Sequence, residues 1–281
     1  MLSYRHAFHA GNHADVLKHL VLVQILRHLG QKEKPFWVID THAGAGAYDL
    51  NTAFARKLAE HEGGIGRLWA QRDLPAPVAD YVDLVRRFNC RGLLRKYPGS
   101  PFFAWWSMRE QDRLRLFEMH GSDARLLRAN FRDAGKQVIV EDTDGFAGLR
   151  ALLPPPPRRA VALIDPSYEE KQDYERVIQA LKEALERFPG GIYAVWYPQL
   201  TRLEARELPR RLTRLPARGW LHAALRVREP ASDGFGMHGS GLVVFNPPWT
   251  LRDTLAGVLP FLAETLREDA GAGFTLEQQA A

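Results

Sequence analysis

Seven short runs rich in β-branched and aromatic residues, most of them separated by helical stretches, set the frame for this chain. They are "PFWVID" (residues 35–40), "LRLFEM" (114–119), "QVIVED" (137–142), "AVALID" (160–165), "GIYAVWY" (191–197), "LHAALRV" (221–227) and "SGLVVFN" (240–246). Between them, apolar residues recur at helical spacing: Leu20, Val23, Leu26 and Leu29 after "HAD", and Ala124, Leu127 and Phe131 after the cap-like Ser122. Tyr174, Val177, Leu181 and Leu185 follow Asp173, and Leu255, Leu259, Leu262 and Leu266 run along a last helix. Five strands alternating with helices predict a parallel sheet covered on both faces, with right-handed crossovers. The last two strands are joined by a short stretch holding Pro230, Asp233, Gly234, Gly236 and Gly239. A parallel crossover needs a dozen or more residues, usually a helix. A turn-rich link of this kind predicts instead an antiparallel ribbon at one sheet edge.

Residues 51–97 interrupt the alternation. They carry "FARKLAEH", "GIGRLWAQ" and "VADYVDLVRRF", all helix-like, and the cations Arg56, Lys57, Arg67, Arg86, Arg87, Arg91, Arg95 and Lys96. We read them as a helical insertion subdomain that grips substrate or forms a lid, in preference to a plain surface elaboration. Residues 1–50 and 98–281 then form the sheet-bearing core. The formal net charge of +5 suits a polyanionic partner without requiring one. No apolar run reaches the ~20 residues of a membrane span, and the N-terminus lacks a signal-peptide pattern, so a cytoplasmic protein is expected. The single Cys90 excludes an internal disulfide. His6, His9, His13 and His19 cluster, but with no His-Glu-x-x-His and the cysteine far away no metal site is expected.

In an open α/β sheet, ligands bind beyond the C-terminal ends of the strands. The first of those ends reads "DTHAGAGAY", with Asp40, His42, Gly44 and Gly46. Glycines there let the backbone approach a ligand closely. The second strand ends on Glu118, an acid placed to accept from both hydroxyls of a ribose. The third ends "EDTDGF", where Asp144 can accept from an adenine amino group. Together these describe a pocket for an adenosine-bearing cofactor.

The fourth end, "DPSY", identifies the chemistry. An exocyclic amine of adenine or cytosine is a poor nucleophile, because its lone pair is delocalised into the ring. The Asp165 carboxylate and the Pro166 carbonyl can both accept from that amine, which localises the lone pair and stabilises the charge developing on nitrogen. Tyr168 offers a face for an unstacked base, and the proline holds the acceptors in place beforehand.

This constellation resembles the N6-adenine and N4-cytosine amino-methyltransferases that use S-adenosyl-L-methionine. Their motif usually carries a second proline where this chain has Ser167, which alters the turn and leaves the acceptors. "MLSYRHAFHAGNHADVLKH", "DTHAGAG", "YPGSP", "LIDPSYE", "GIYAVWYP" and "NPPW", in this order, are similar to the bacterial 23S ribosomal RNA adenine-N6 methyltransferase family that modifies adenine 2030. The resemblance runs from Met1 to about Leu266 and leaves the tail "EDAGAGFTLEQQAA" aside.

The resemblance implies a Rossmann-like methyltransferase fold with a small helical insertion. It implies cofactor contacts at His19, His42, Ser100, Glu118, Asp144 and Gly145, to which Gly44 is added from the loop. Asp165 matches the catalytic acid and borders the cofactor, with Pro166 and Tyr168 beside it. Tyr4 and Lys18, together with Tyr168, are expected to meet the target base. The expected protein is therefore a monomeric RNA-binding enzyme of 23S ribosomal RNA, using S-adenosyl-L-methionine and no metal. A DNA adenine-N6 or cytosine-N4 methyltransferase shares the chemistry. An NAD-dependent oxidoreductase would leave D-P-x-Y unexplained, and a non-catalytic RNA-binding module would have no cofactor affinity.

Overall fold

The computed structural model describes residues 9–52, 58–89 and 92–280. A central sheet of eight strands has the spatial order β10-β8-β9-β7-β6-β1-β4-β5. Its strands are β1 (Trp37–Asp40), β4 (Arg113–Phe117), β5 (Val138–Glu141), β6 (Ala160–Ile164), β7 (Ile192–Gln199), β8 (Trp220–Arg226), β9 (Gly239–Phe245) and β10 (Gly273–Gln279). The five strands β5, β4, β1, β6 and β7 are parallel. The remaining pairings, β7 with β9, β9 with β8 and β8 with β10, are antiparallel. The chain runs outward from β1 through β4 to β5, then returns to β6. Its switch point therefore lies at β1 and β6, where strand ends diverge and leave a crevice.

Successive residues of a strand face opposite sides, and both sides are covered. Val38, Leu114, Leu116, Val161, Leu163, Val244 and Leu242 face one core. Their neighbours Ile39, Phe117, Ala162, Ile164, Val243 and Phe245 face the other. The first core is closed by α1 (His13–Gly30), α4 (Ser100–Ser107) and α9 (Leu251–Thr265). The second is closed by α6 (Gly145–Leu152), α7 (Lys171–Arg187) and α8 (Leu203–Leu212). No described helix is long and apolar enough to cross a membrane.

The structure departs from the sequence reading in several places. The β8–β9 ribbon forms, but β9 lies inside the sheet and the edge strand is β10, drawn from the tail that the motifs leave aside. A second ribbon, β2 (Ala47–Asp49) with β3 (Lys96–Pro98), closes the neck of the insertion. Within the insertion lie α2 (Ile65–Trp69) and α3 (Ala76–Phe88). The α3 residues Val78, Tyr81, Val82 and Val85 are buried in the same core as α1, so this segment is packed onto the sheet domain. Ser122 does not cap its helix. The helix α5 (Gly121–Asn130) starts one residue earlier, and the Ser122 hydroxyl lies 2.9 Å from His120 Nδ1.

Helix α1 is buried on nearly every side, between the sheet and the insertion. Its leucines and valines explain that on two faces. Asp15, Lys18 and His19 are buried as well. Asn12 caps it, accepting from the amides of Ala14 and Asp15 at 3.0 Å each, which fixes where the helix begins and how its first turns point. Because α1 joins the layers, Leu20→Ala should lower the unfolding free energy by about 2–5 kcal/mol. Urea denaturation followed by circular dichroism measures this, and a loss under about 1 kcal/mol would contradict the central role given to α1.

Candidate active site

Strand β6 stops at Ile164, and Asp165, Pro166, Ser167 and Tyr168 turn away across the switch point. The turn is strained: Tyr168 has φ +53°, in the left-handed region that non-glycine residues rarely enter. Two hydrogen bonds hold it there. The Tyr168 hydroxyl donates to the Trp196 carbonyl at 2.6 Å, and Arg202 donates to the Tyr168 carbonyl at 3.2 Å. Only 2% of Tyr168 is exposed, with its ring 4.8 Å from that of Tyr174. It is a wall residue here, not the open stacking face expected from the motif.

Lys18 reaches from α1 to this turn. Its Nζ lies 2.6 Å from Asp165 Oδ2 and 2.8 Å from Asp15 Oδ1. Burial opposes a charge on Lys18, but the two carboxylates outweigh it and hold the ammonium above its ordinary range. Lys18 thus stays protonated between two carboxylates. Asp15 is itself anchored, accepting from the Gly11 amide at 2.9 Å.

Two cavities meet at this point. The first, of about 330 Å³, lies over the ends of β1 and β4. Its lining includes His42, Gly44, Ser100, Glu118 and Pro166, together with Lys18, Asp165 and Ser167. The second, of about 870 Å³, opens on the other side, along the start of α1, the segment 58–63 and the end of β7. Lys18, Asp165 and Ser167 line both.

The first cavity is shaped by acceptors. Glu118 spans the β1 and β4 loops, accepting from the Gly44 amide at 2.8 Å and the His120 amide at 2.6 Å. Burial raises its carboxyl above the usual range, and those two amides oppose the shift. Gly44 has φ +58°, and a Cβ there would lie 2.2 Å from the Tyr48 hydroxyl, so only glycine fits this cradle. The buried Asp40 accepts from the Ser100 hydroxyl at 2.7 Å, and burial pushes its carboxyl up to about 6. His42, beside it, is lowered to about 4 by burial and is neutral at pH 7.

The structure therefore brings Lys18, His42, Gly44, Ser100, Glu118, Asp165 and Pro166 to one cavity. It does not bring His19, Asp144 or Gly145 to the same lining. His19 is buried against Phe103 and lies 2.7 Å from the Tyr97 hydroxyl. Asp144 caps α6, accepting from the Phe146 amide at 2.8 Å, and pairs with Arg176 at 2.6 Å. Gly145 packs so closely on Thr41 that a Cβ would lie 1.9 Å from its carbonyl oxygen. Tyr4 lies outside the described residues. Among the described residues, no group of three or more His, Cys, Asp or Glu is arranged to hold a metal.

The sequence reading missed Asp15, and it gave Trp196 no part in the site. The spacing of Asp15 and Lys18, three apart on a helix, was the available signal for the first. Trp196 lines the second cavity, with Lys18 Nζ 5.5 Å from its ring centre. His13, only 8% exposed and lowered to about 4 by burial, lines the same cavity. Its Nε2 and the Trp196 Nε1 are buried without a hydrogen-bond partner among the described residues.

Comparisons with known proteins show the family and the fold. A family model described as ribosomal RNA large subunit methyltransferase D, RlmJ, matches residues 33–277. A Haemophilus influenzae protein named ribosomal RNA large subunit methyltransferase J is 47% identical over 278 residues, 99% of this chain and 98% of its own. The Escherichia coli protein of that name is 48% identical over 273 residues, 97% of this chain and 96% of its own. A crystal structure of a Legionella pneumophila protein superposes with a TM-score of 0.87 at 35% identity, covering 97% of this chain and 98% of that one. The chain belongs to the family of ribosomal RNA large subunit methyltransferase D, RlmJ.

Proposed function

We propose that this protein is a 23S ribosomal RNA adenine-N6 methyltransferase that uses S-adenosyl-L-methionine and acts on adenine 2030. The observation that carries the reading is the meeting of two cavities at Asp165. Group transfer between two ligands needs adjoining sites that hold the reacting atoms side by side and aligned. The names of the relatives supply the ribosomal RNA.

The first cavity fits the cofactor on its own terms. Glu118 supplies a carboxylate for the ribose hydroxyls, Gly44 lets the backbone close in, and His42 and Ser100 border the remainder. When bound, S-adenosyl-L-methionine supplies a methyl group on a cationic sulfur. Asp144 and Gly145 contribute at one remove, by fixing the α6 start against the β1 loop.

The second cavity takes the target adenosine, with Trp196, Tyr168 and His13 in its walls. Extruding a base costs a few kcal/mol of stacking and pairing. At the junction, Asp165 accepts a hydrogen bond from the exocyclic amine and draws electron density toward nitrogen. Lys18 holds Asp165 in place through their ion pair, and Asp15 keeps Lys18 in position. Pro166 holds the backbone so that its own carbonyl faces the same amine. The strained Tyr168 turn keeps both acceptors fixed while the amine becomes cationic.

Asp165→Ala should lower methyl transfer to 23S RNA by at least about 100-fold, the scale of removing one electrostatic stabiliser. Cofactor affinity should change little, because Lys18 retains Asp15. Labelled-methyl incorporation and calorimetric titration measure the two, with duplex DNA assayed beside the RNA. Transfer at the wild-type rate in this variant would end the assignment, and preferential methylation of DNA would redirect it. Glu118→Ala should weaken cofactor binding by roughly 10- to 100-fold, corresponding to a lost hydrogen-bonding charge worth about 1.5–3 kcal/mol. RNA affinity in the absence of cofactor should not move.

Stability should also respond to pH. His13 and His42 are each lowered from 6.5 to about 4, so between these values the unfolded chain binds protons that the folded chain refuses. Their contribution is full above pH 6.5 and is lost as pH falls toward 4. Asp40, raised from 3.8 to about 6, acts in the opposite sense, and its contribution is lost as pH rises through that range. The melting temperature should therefore fall from pH 6.5 to 4, and less steeply in His13→Gln. An unchanged slope in that variant would contradict the buried neutral state of His13.

A further inference from the structure

We propose that Phe235 is a stacking residue for the RNA: it takes a nucleobase adjacent to the target adenine, in the stacking place that the extruded base gives up. The proposal rests on the function proposed above and names a contact outside the transfer site.

Phe235 sits at the tip of the β8–β9 connection and is 79% exposed. The ribbon closes where the Val227 amide donates to the His238 carbonyl at 2.9 Å, and the loop projects beyond that pair. Loose loops usually fold a bare phenyl ring back onto the protein, since burying it is favourable. Here the backbone is tied in another shape. The Phe235 amide donates to Asp233 Oδ1 at 3.0 Å, and the Gly234 amide donates to the Ala231 carbonyl at 2.9 Å. Thr201 donates its hydroxyl to the Gly234 carbonyl at 2.7 Å, and Arg228 donates to the Met237 carbonyl at 3.1 Å.

Glycines flank the ring on both sides. Gly234 has φ +76° and Gly236 φ +83°. A Cβ at Gly234 would meet only the Thr201 hydroxyl, at 3.4 Å, so there the left-handed backbone, not crowding, calls for glycine. The path of the loop is thus specified, and it ends in an exposed aromatic face.

Its position gives the occupant. Gly236 and Met237, the residues just after Phe235, line the large cavity that also holds Asp165, Trp196 and His13. The cavity wall is of mixed charge, with Arg67, Arg202 and Arg228 beside Glu60, Glu62 and Glu268, so it is the aromatic ring and its place, rather than a basic surface, that point to the occupant. An adenine that swings into the cavity leaves its neighbours with one bare face. A phenyl ring carried on this backbone next to two lining residues can cover such a face without reading its identity, because every base has a π surface.

Trp249 provides an internal control. It is equally exposed, at 79%, but its ring meets His28, in the last turn of α1 and at the far end of that helix from Lys18.

The test compares Phe235→Ala, Phe235→Trp and Trp249→Ala with the wild type, on protein-free 23S RNA and with cofactor saturating. Phe235→Ala should raise KM for the RNA about 10-fold, equivalent to about 1.4 kcal/mol. Its kcat should stay within about threefold, its melting temperature and cofactor affinity should not change, and Phe235→Trp should restore KM. RNA affinity measured across salt concentrations should drop in Phe235→Ala with the slope against log salt unchanged, since stacking releases no counterions. Wild-type KM and RNA affinity in Phe235→Ala, or an equal loss in Trp249→Ala, would overturn the proposal. A wild-type enzyme that fails to methylate the RNA would instead strike the proposed function, and the binding comparison would still decide the role of Phe235.

Discussion

The site depends on a buried ammonium shared by two carboxylates. Lys18 Nζ lies 2.8 Å from Asp15 and 2.6 Å from Asp165, and all three side chains are largely buried. Taking ions from water costs several kcal/mol each unless they are paired closely. Such a group is therefore a poor source of stability and a good source of specificity. It couples the first helix to a strand end 147 residues away and allows only one arrangement of the two. The same arrangement fixes the Asp165 carboxylate where the two cavities join. A carboxylate accepts on both oxygens, so Asp165 can keep one oxygen on Lys18 and offer the other to the amine.

The sheet supplies the rest of the geometry. At the switch point β1 is flanked by β4 and β6, so Asp40, Glu118 and Asp165 emerge from three adjacent strand ends. Three carboxylates in one crevice would repel one another if all were bare. Each is managed differently. Asp40 is buried beneath the Ser100 hydroxyl and raised to about 6. Glu118 is held by two backbone amides, and Asp165 by Lys18. The acceptor set for a sugar and the acceptor for an amine are thereby kept electrostatically distinct within a few residues of the same sheet edge.

Most of this was legible in the sequence because buried parallel strands read as continuous apolar runs. "AVALID" and "PFWVID" mark β6 and β1, and the polar residue ending each run marks the crevice. The misses have physical reasons. Strand β10 pairs on one side only, so its "GFTLEQQ" carries polar residues that an inner strand could not. Strands β2 and β3 have three residues each, too few for a period to show. Asp15 looks like the polar side of a helix start, since its burial beside Lys18 depends on a partner of Lys18 that lies 147 residues on and that no local pattern reveals. Tyr168 was read as an open face because its type suggested stacking, whereas its left-handed backbone turns the ring inward against Tyr174. Asp144 carries two possible readings from sequence, since an Asp before a helix is also the residue a cap requires, and its side chain does cap α6.

The insertion acquires a mechanical role from contacts at the opposite end of α1's first turn. Glu60 lies 2.9 Å from His9 Nδ1 and accepts from the Asn12 amide group at 3.0 Å, so it grips the residues that start the helix. The Ile65 amide donates to the Gly11 carbonyl at 2.9 Å, and Gly64 lies so near that a Cβ would fall 2.1 Å from that same oxygen. Asn12 in turn caps α1, and Gly11 anchors Asp15. Contacts thus run without a break from segment 58–65 through Gly11 and Asn12 to Asp15, and from there to Lys18 and Asp165. The same segment forms one wall of the large cavity. The segment that anchors the start of α1 therefore also borders the cavity that Lys18 and Asp165 line.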